Sequence, residues 1–548
     1  MRADQLALDH RGRQLNRLAA GAPRSNDRGE AVQPAVVDIH DAAKHLWEAA
    51  DELRANSHLN PAQYGLPVLG LIFLKFADSR FTEVETELAG KTTGRRVVGK
   101  IDYQAKAVLY LPEAARFANL LHLKEGDNLG KAINDAMALI EDENASLRGV
   151  LPRTYQSLSD STLVNLLRSV NSILGNIQGD AFGKVYEYFL GKFALAEGQG
   201  AGEFFTPTSI VQLIVAIIEP FNGKILDPAC GSGGMFVQSA RFVDEHRNRR
   251  AGRLAIYGQE KTEQTVRLCR MNLAVHGLEG QISQSNTYYE DAHHAVGAFD
   301  YVMANPPFNV NRIDKARLEG DARYPFGLPR ADNGNYIWIQ AFYSALNETG
   351  RAGFVMANSA ADAGGSELQI RRKLIEDRSV DVIVSVGSNF FYTVTLPVTL
   401  WFFDKGKRET GRGDRVLFID ARTTFRQIDR AHREWTPAHV EFLANIARLY
   451  RRESIETRDG SADLTAVSFP DGAYTDVSGL CSAATLEQIE RQGWSLNPGR
   501  YIGNAGASDD GVDFRSRIEE LSEELEQLNA QTEAIHRRIT TNLGELLG

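Results

Sequence analysis

The chain has 548 residues, 43% of them hydrophobic and 24% charged, and a formal charge of −10. That length calls for two or three domains of ordinary globular composition, and the acidic balance excludes a protein that wraps nucleic acid with its whole surface, though not one with a local basic channel. No apolar run approaches the roughly 20 residues that span a bilayer, and Cys230, Cys269 and Cys481 are spaced for neither a disulfide framework nor a zinc site, so a reducing cytoplasm without membrane association is expected.

Residues 1–37 are Arg-rich but contain acids and lack an apolar signal core, which predicts a flexible tail. Residues 38–178 read as a helical domain. Asp41 is a possible N-cap, followed by Ala43, Leu46, Trp47, Ala50 and Leu53 at helical spacing. "YGLPVLGLIFLKFADSRF" and "STLVNLLRSVNSILGNI" predict two further helices, in a domain that packs and carries no catalysis. From 179 to 460 the texture changes. "KILD", "LAIYGQEK", "FDYVMA", "AGFVMA" and "VDVIVSV" are short β-branched runs, most of them separated by helical stretches such as "TEQTVRLCRMNLAVHG". Alternating strand and helix means a mostly parallel sheet covered on both faces, with ligands at the carboxyl ends of its strands. Residues 405–454 carry twelve Lys/Arg against seven Asp/Glu, which suits either a DNA-facing surface or a solvated helical face.

Residues 461–512 are expected to connect, ending in the linker "IGNAGASDDGV". In 513–548, Phe514, Ile518, Leu521, Leu525, Leu528, Thr532, Ile535 and Ile539 alternate by four and three, the seam of a coiled-coil helix, expected to dock on a partner helix, with folding back onto the N-terminal helices as the alternative.

Two strand ends carry the chemistry. "ILDPACGSGGMF" (225–236) is a strand, a carboxylate, a glycine-rich turn and a helix start, so backbone amides can approach a ligand closely. Glu260 ends the next strand and suits a ribose diol. There is no G-x-G-x-x-G spacing and no phosphate-binding lysine, which disfavours nicotinamide and ATP and leaves S-adenosylmethionine, a ribose carrier without phosphate. "DYVMANPPFN" (300–309) then halts a buried strand at an amide and two prolines. An adenine N6 amine is a poor nucleophile because its lone pair is delocalised into the ring. Two fixed acceptors, the Asn305 side-chain carbonyl and the Pro306 backbone carbonyl, would free that lone pair. Phe308 would stack on a base turned out of the helix. No metal is required; His293 and His294 have no ligand spacing.

"DPACGSGG" followed by "NPPF" resembles the N6-adenine DNA methyltransferases, and "GEFFTPTSIV", "LWEAADELR", "VLGLIFLKFAD", "GRAGFVMANSAADAGGSELQIRRKLIE" and "NFFYTVTLPVTLWFFDKGK" resemble the modification subunit of type I restriction–modification systems. The resemblance covers roughly residues 40–460. It implies a class I S-adenosylmethionine-dependent methyltransferase, Rossmann-like, with an N-terminal helical domain and a C-terminal docking helix. It further implies that Glu203, Phe204, Phe205, Thr206, Pro207 and Thr208 border the cofactor's methionine end. Asp227, Gly231, Ser232, Gly233 and Gly234 would form the cofactor loop, Glu260 would take the ribose, and Asn286 or Thr287 would lie near the cofactor's adenine. Asn305, Pro306, Pro307 and Phe308 would be catalytic, with Phe391 (or Phe390) on the other face of the target base, although "YTVTLPVT" lacks the glycine usual before the family's Ile-Pro.

The implied partners are DNA, a specificity subunit that reads the sequence, a second copy of this chain and a nuclease-translocase subunit. A stand-alone methyltransferase acting on DNA, RNA or protein glutamine is the first alternative, and a non-catalytic scaffold of the same fold is the second.

Overall fold

The structure is a computed structural model describing residues 47, 61–89, 98–106, 108–175, 180–197, 206–246, 252–329, 333–391, 397–429 and 432–503. The described residues from Trp47 to Ile502 form one compact unit. The expected tail, Glu203, Phe204, Phe205 and the C-terminal seam lie outside the described residues.

The helical part is built around α1 (Pro61–Ala89). Its stretch Val68, Leu69, Leu71, Ile72, Phe73 and Leu74 is buried all round, as the unbroken apolar sequence requires of a central helix. Gly70 lets Tyr155 and Pro152 close on it: a Cβ there would sit 2.3 Å from the Tyr155 hydroxyl, which donates to the Pro67 carbonyl at 2.8 Å. Two amphipathic helices pack around it. In α2 (Leu129–Glu143) Leu129, Ile133, Met137 and Ile140 face inward, and Asn128 caps the N-terminus by accepting from the Lys131 N–H. In α3 (Asp160–Leu174) Leu163, Leu166, Leu167, Val170 and Leu174 do the same behind a Ser159 cap. Then comes α4 (Asp180–Glu197).

The second part is a nine-stranded sheet. Its strands are β1 (Gly223–Asp227), β2 (Leu254–Glu260), β3 (Gly280–Gln284), β4 (Phe299–Ala304), β5 (Leu346–Ala357), β6 (Val380–Val386), β7 (Val398–Asp404), β8 (Arg415–Asp420) and β11 (Cys481–Thr485); β9 (Arg426–Gln427) and β10 (Arg433–Glu434) make a separate ribbon. The order is β11-β8-β6-β7-β5-β4-β1-β2-β3. All pairs are parallel except those of β7 with β5 and β6 and of β11 with β8. Alternation sorts the side chains by face. Val398, Leu400 and Phe402 of β7 enter one apolar core, with α5 (Thr208–Ile218), α6 (Gly234–Glu245), α7 (Glu263–Val275) and α10 (Pro437–Arg451), while Trp401 and Phe403 enter the other, with α8 (Asn335–Ala345) and α9 (Gly365–Glu376). Met271 and Val275 of α7 also join the core of the helical part, which fixes the two parts against each other.

Two expectations change here. Residues 461–502, expected to connect, instead add β11 to the sheet edge and bury Ile489, Leu496 and Ile502. The basic excess of 405–454 is largely spent on ion pairs: Lys407, Arg412 and Arg451 surround Asp381, Arg408 holds Asp377, Arg448 holds Glu219, and Arg422 holds Asp420. Apart from the exposed Arg422, neither a solvated face nor a free DNA-binding stripe describes those side chains.

Candidate active site

The carboxyl ends of β1, β2, β3 and β4 open into a cavity of about 410 Å³. Its walls bring together residues from every strand end singled out in the sequence: Asp227, Gly231, Ser232 and Gly234 after β1, Glu260 at β2, Asn286 and Thr287 after β3, and Asn305, Pro306 and Pro307 after β4. Thr206 and Thr208 close it beside the start of α5. This is the crevice in which open α/β sheets bind ligands.

The turn from β1 into α6 works through its glycines. Gly231 and Gly233 have φ of +51° and +82°, and a Cβ on Gly233 would press within 2.9 Å of Cys269 Sγ, so this position needs both the conformation and the missing side chain. A Cβ on Gly231 or Gly234 would meet nothing within 4 Å. Glu260 ties the turn to β2: one carboxylate oxygen accepts from the Gly231 N–H at 3.2 Å and the other from the Lys261 N–H at 2.6 Å. Asp227 is buried and accepts one backbone N–H, from Ala229, at 3.0 Å. Burial pushes its carboxyl up to about 8, the Glu260 charge adds to the rise, and the Ala229 bond opposes it.

Asn305 lines the same cavity, and its amide nitrogen donates to the Thr206 hydroxyl at 2.9 Å. That leaves Oδ1 buried and without a partner. Asn272 Oδ1 and Ser285 Oγ are further buried polar atoms on cavity residues that make no hydrogen bond, whereas Glu187 Oε1 faces His276 Nε2 at 3.2 Å. An unmatched buried polar atom costs on the order of 1–3 kcal/mol, so their gathering at one cavity marks a site shaped for a ligand rather than for stability. Two of these three partnerless atoms are acceptors, and the carboxyl groups of Glu187, Asp227 and Glu260 share the walls. The chemistry of this set fits a cationic, donor-rich molecule with a ribose and an amine.

The residues expected to stack on the target base lie elsewhere. Phe308 is half-buried against the apolar core that includes α5 and α6 and is not part of the cavity wall. Phe391 and Phe390 are 4% and 2% exposed in that same core, where Phe390 packs on Trp435 with ring centres 4.7 Å apart. His293 donates to the Gly258 carbonyl at 2.8 Å, and no group of residues able to hold a metal occurs among the described residues. The three cysteines are buried and unpaired.

Sequence reasoning missed part of the wall. Gly65, Leu66 and Leu69 of α1 and Glu187 and Leu190 of α4 line the cavity, so the helical part is a component of the site and not only a packing domain. The available signal was Glu187, an acid inside the apolar run "VYEYFL". Tyr288 and Trp338 were also missed; both line the cavity and are joined by an indole N–H donated to the phenol oxygen at 2.7 Å.

Known proteins resemble the chain in sequence and fold. The family described as N-6 DNA Methylase matches residues 177–510, and the HsdM N-terminal domain matches 42–170. The MjaIX type I restriction enzyme methylase subunit of Methanocaldococcus jannaschii is 36% identical over 91% of this chain and 90% of its own length. The HindI methylase subunit of Haemophilus influenzae is 33% identical over 76% of this chain and 93% of its own. The crystal structure of a type I restriction–modification methyltransferase subunit from Streptococcus thermophilus shares the fold, with a TM-score of 0.68 at 20% identity over 85% of this chain and 99% of that one. The chain belongs to the N-6 DNA methylase family, as an adenine-specific DNA methyltransferase of the type I restriction–modification methylase-subunit class.

Proposed function

We propose that the cavity binds S-adenosylmethionine and presents it to an adenine turned out of DNA. When bound, the cofactor supplies a methyl group already activated on a sulfonium. The chain's residues then have only to bind, orient and free an amine lone pair. Asp227 and the 231–234 turn would hold the amino-acid end, Thr206, Pro207 and Thr208 would border it, Glu260 would take the ribose, and Asn286 or Thr287 would meet the adenine ring. Asn305 Oδ1 and the Pro306 carbonyl would accept the two N6 hydrogens of the target, drawing the nitrogen towards tetrahedral geometry. Thr206 supports this by holding the other end of the Asn305 amide, which keeps the oxygen free. That partnerless oxygen carries the reading.

Phe308, and Phe391 or Phe390, remain the proposed stacking residues; their burial means that DNA binding must bring them to the base. A separate specificity subunit would supply sequence recognition, since residues 461–502 are built into the sheet and offer no separate recognition domain there. The C-terminal seam is proposed to dock there, with a second copy of this chain and a nuclease-translocase subunit completing the assembly. Titrating the purified chain with S-adenosylmethionine, then assaying methyl transfer to DNA with and without a specificity subunit, tests the proposal. Cofactor binding alone, with transfer appearing on addition of the partner, is the expected outcome; robust sequence-specific methylation by the chain alone contradicts it.

A further inference from the structure

Between the catalytic stretch 305–308 and α8 the chain makes a long excursion, residues 309–329, that lies against the turn 286–290. It is anchored at its start by Asn309, whose side-chain oxygen accepts from the amides of Asn335 and Asn333 at 2.9 and 3.1 Å. Further along, the Asp314 N–H donates to the Tyr289 hydroxyl at 2.9 Å, the Arg317 guanidinium lies 4.0 Å from the centre of the Tyr289 ring, and the Tyr324 hydroxyl donates to the Tyr288 carbonyl at 3.0 Å.

Arg323 sits at the centre and is only 5% exposed. Its guanidinium donates to the carbonyls of Thr287 at 2.6 Å, Glu290 at 3.2 Å and Tyr288 at 3.3 Å. Asp321 fixes its remaining edge with both carboxylate oxygens, at 2.6 to 3.1 Å. A planar fork of five donors can gather three carbonyls of one turn, which the point charge of a lysine cannot do. Without the fork the Thr287 carbonyl would lose its donor and be left desolvated, the Tyr288 and Glu290 carbonyls would keep only the Tyr324 hydroxyl and the Gln259 amide, and the turn would be free to reshape. The same turn presents Asn286, Thr287 and Tyr288 to the cavity, whereas Arg323 is not part of the wall.

We propose that Arg323 is a positioning residue for the cofactor's purine: it sets the shape of the 286–290 turn and thereby the preference of the cavity for adenine over other purines. The proposal rests on the reading of 286–288 as the adenine end of the site. It also makes the excursion a strap that joins the purine end of the cavity to the catalytic stretch.

The test measures affinity of the full chain for S-adenosylhomocysteine and for S-inosylhomocysteine, in which an oxygen replaces the purine amine. A site built to hydrogen-bond that amine rejects the analogue. Arg323→Met should weaken the adenosyl compound by roughly tenfold or more and the inosyl compound much less, so the ratio collapses. Arg323→Gln and Asp321→Asn, which keep a polar planar group in place, should give smaller losses of the same kind and serve if the methionine variant does not fold. Arg371 is the control: equally buried and bonded to the carbonyls of Ala363 and Trp494, both at 2.7 Å, it holds no part of the cavity wall. Arg371→Met should lower thermal stability and leave the ratio unchanged. Equal losses for both compounds in the Arg323 variants, or no loss, overturn the proposal. Failure of the unmodified chain to bind S-adenosylhomocysteine at all is a different result and refutes the cofactor reading instead.

Discussion

Two aspartates of the same sheet are almost wholly buried and behave in opposite ways. Asp227 ends β1 at the carboxyl edge, meets one backbone N–H, and is pushed up to about 8 by burial, with Glu260 adding to the rise. Asp381 lies at the opposite edge, near the start of β6. Burial alone would raise it too, but Arg451, Lys407 and Arg412 override burial and hold it well below the usual carboxylate range. Arg451 reaches it at 2.8 Å and Arg412 at 2.8 Å, joining α10 and the turn after β7 to β6. A buried carboxylate supplied with cations is architecture; one left without them awaits a cation from outside. The fold thus surrounds one of these two carboxyl groups with cations and leaves the other without one at the cavity.

Substitutions at the two edges should therefore separate chemistry from stability. Asn305→Ala is expected to lower methyl transfer by at least about a hundred- to a thousandfold, the effect of removing one preorganised polar group aimed at the reacting atoms. Calorimetric titration of the same variant should show cofactor affinity within about threefold of the parent. Asp381→Asn should do the reverse, costing about 3–5 kcal/mol in chemical denaturation because three buried cations lose their counter-charge; a variant as stable as the parent would dissolve the contrast. Asp227→Asn is expected to weaken the cofactor by roughly tenfold or more while costing the cofactor-free fold on the order of 1 kcal/mol or less.

The pH dependence sharpens the comparison. In the cofactor-free fold Asp227 keeps its proton up to about pH 8, whereas in the unfolded chain it loses it near pH 4. The native state binds the extra proton between those values, so this group's contribution to stability is fully present below about pH 4 and lost as pH rises through about 8. A cationic ligand favours the ionised form. Cofactor affinity should therefore rise with pH up to about 8 and then level off, and binding at pH 7 should release a proton. Calorimetry in buffers of different ionisation enthalpy reads that release directly, and an affinity that is flat with pH, or falls, speaks against Asp227 facing the cation. The smallest effect is expected at Gly234, the first residue of α6. Alanine there should leave stability unchanged or raise it by up to about 1 kcal/mol, since the helix gains from it, yet crowd the cofactor where space now lies open.

The parts of this account legible in the sequence are those coded locally. The β-branched runs of β1, β2, β4 and β6 announce themselves, as do the stops at Asp227, Glu260 and Asn305, because a strand end is marked by its own residues. Strand β11 was hidden: "CSAAT" has no β-branched run and becomes a strand by pairing with β8. The charges of 405–454 misled for a related reason, since their partners Glu219, Asp377 and Asp381 are remote in sequence. Arg323, and the cavity wall offered by Leu66, Leu69 and Glu187, escaped notice because each acts across the fold. The burial of Phe390 and Phe391 could not be read from an aromatic pair alone.

The most direct test is single-turnover transfer of labelled methyl from S-adenosylmethionine to DNA by the chain assembled with the proposed specificity subunit, compared between the parent and Asn305→Ala at saturating cofactor. Labelled N6-methyladenine is expected from the parent and almost none from the variant, with both chains equally loaded with cofactor. Undiminished transfer by the variant, or label on a base other than adenine, would contradict the proposed function.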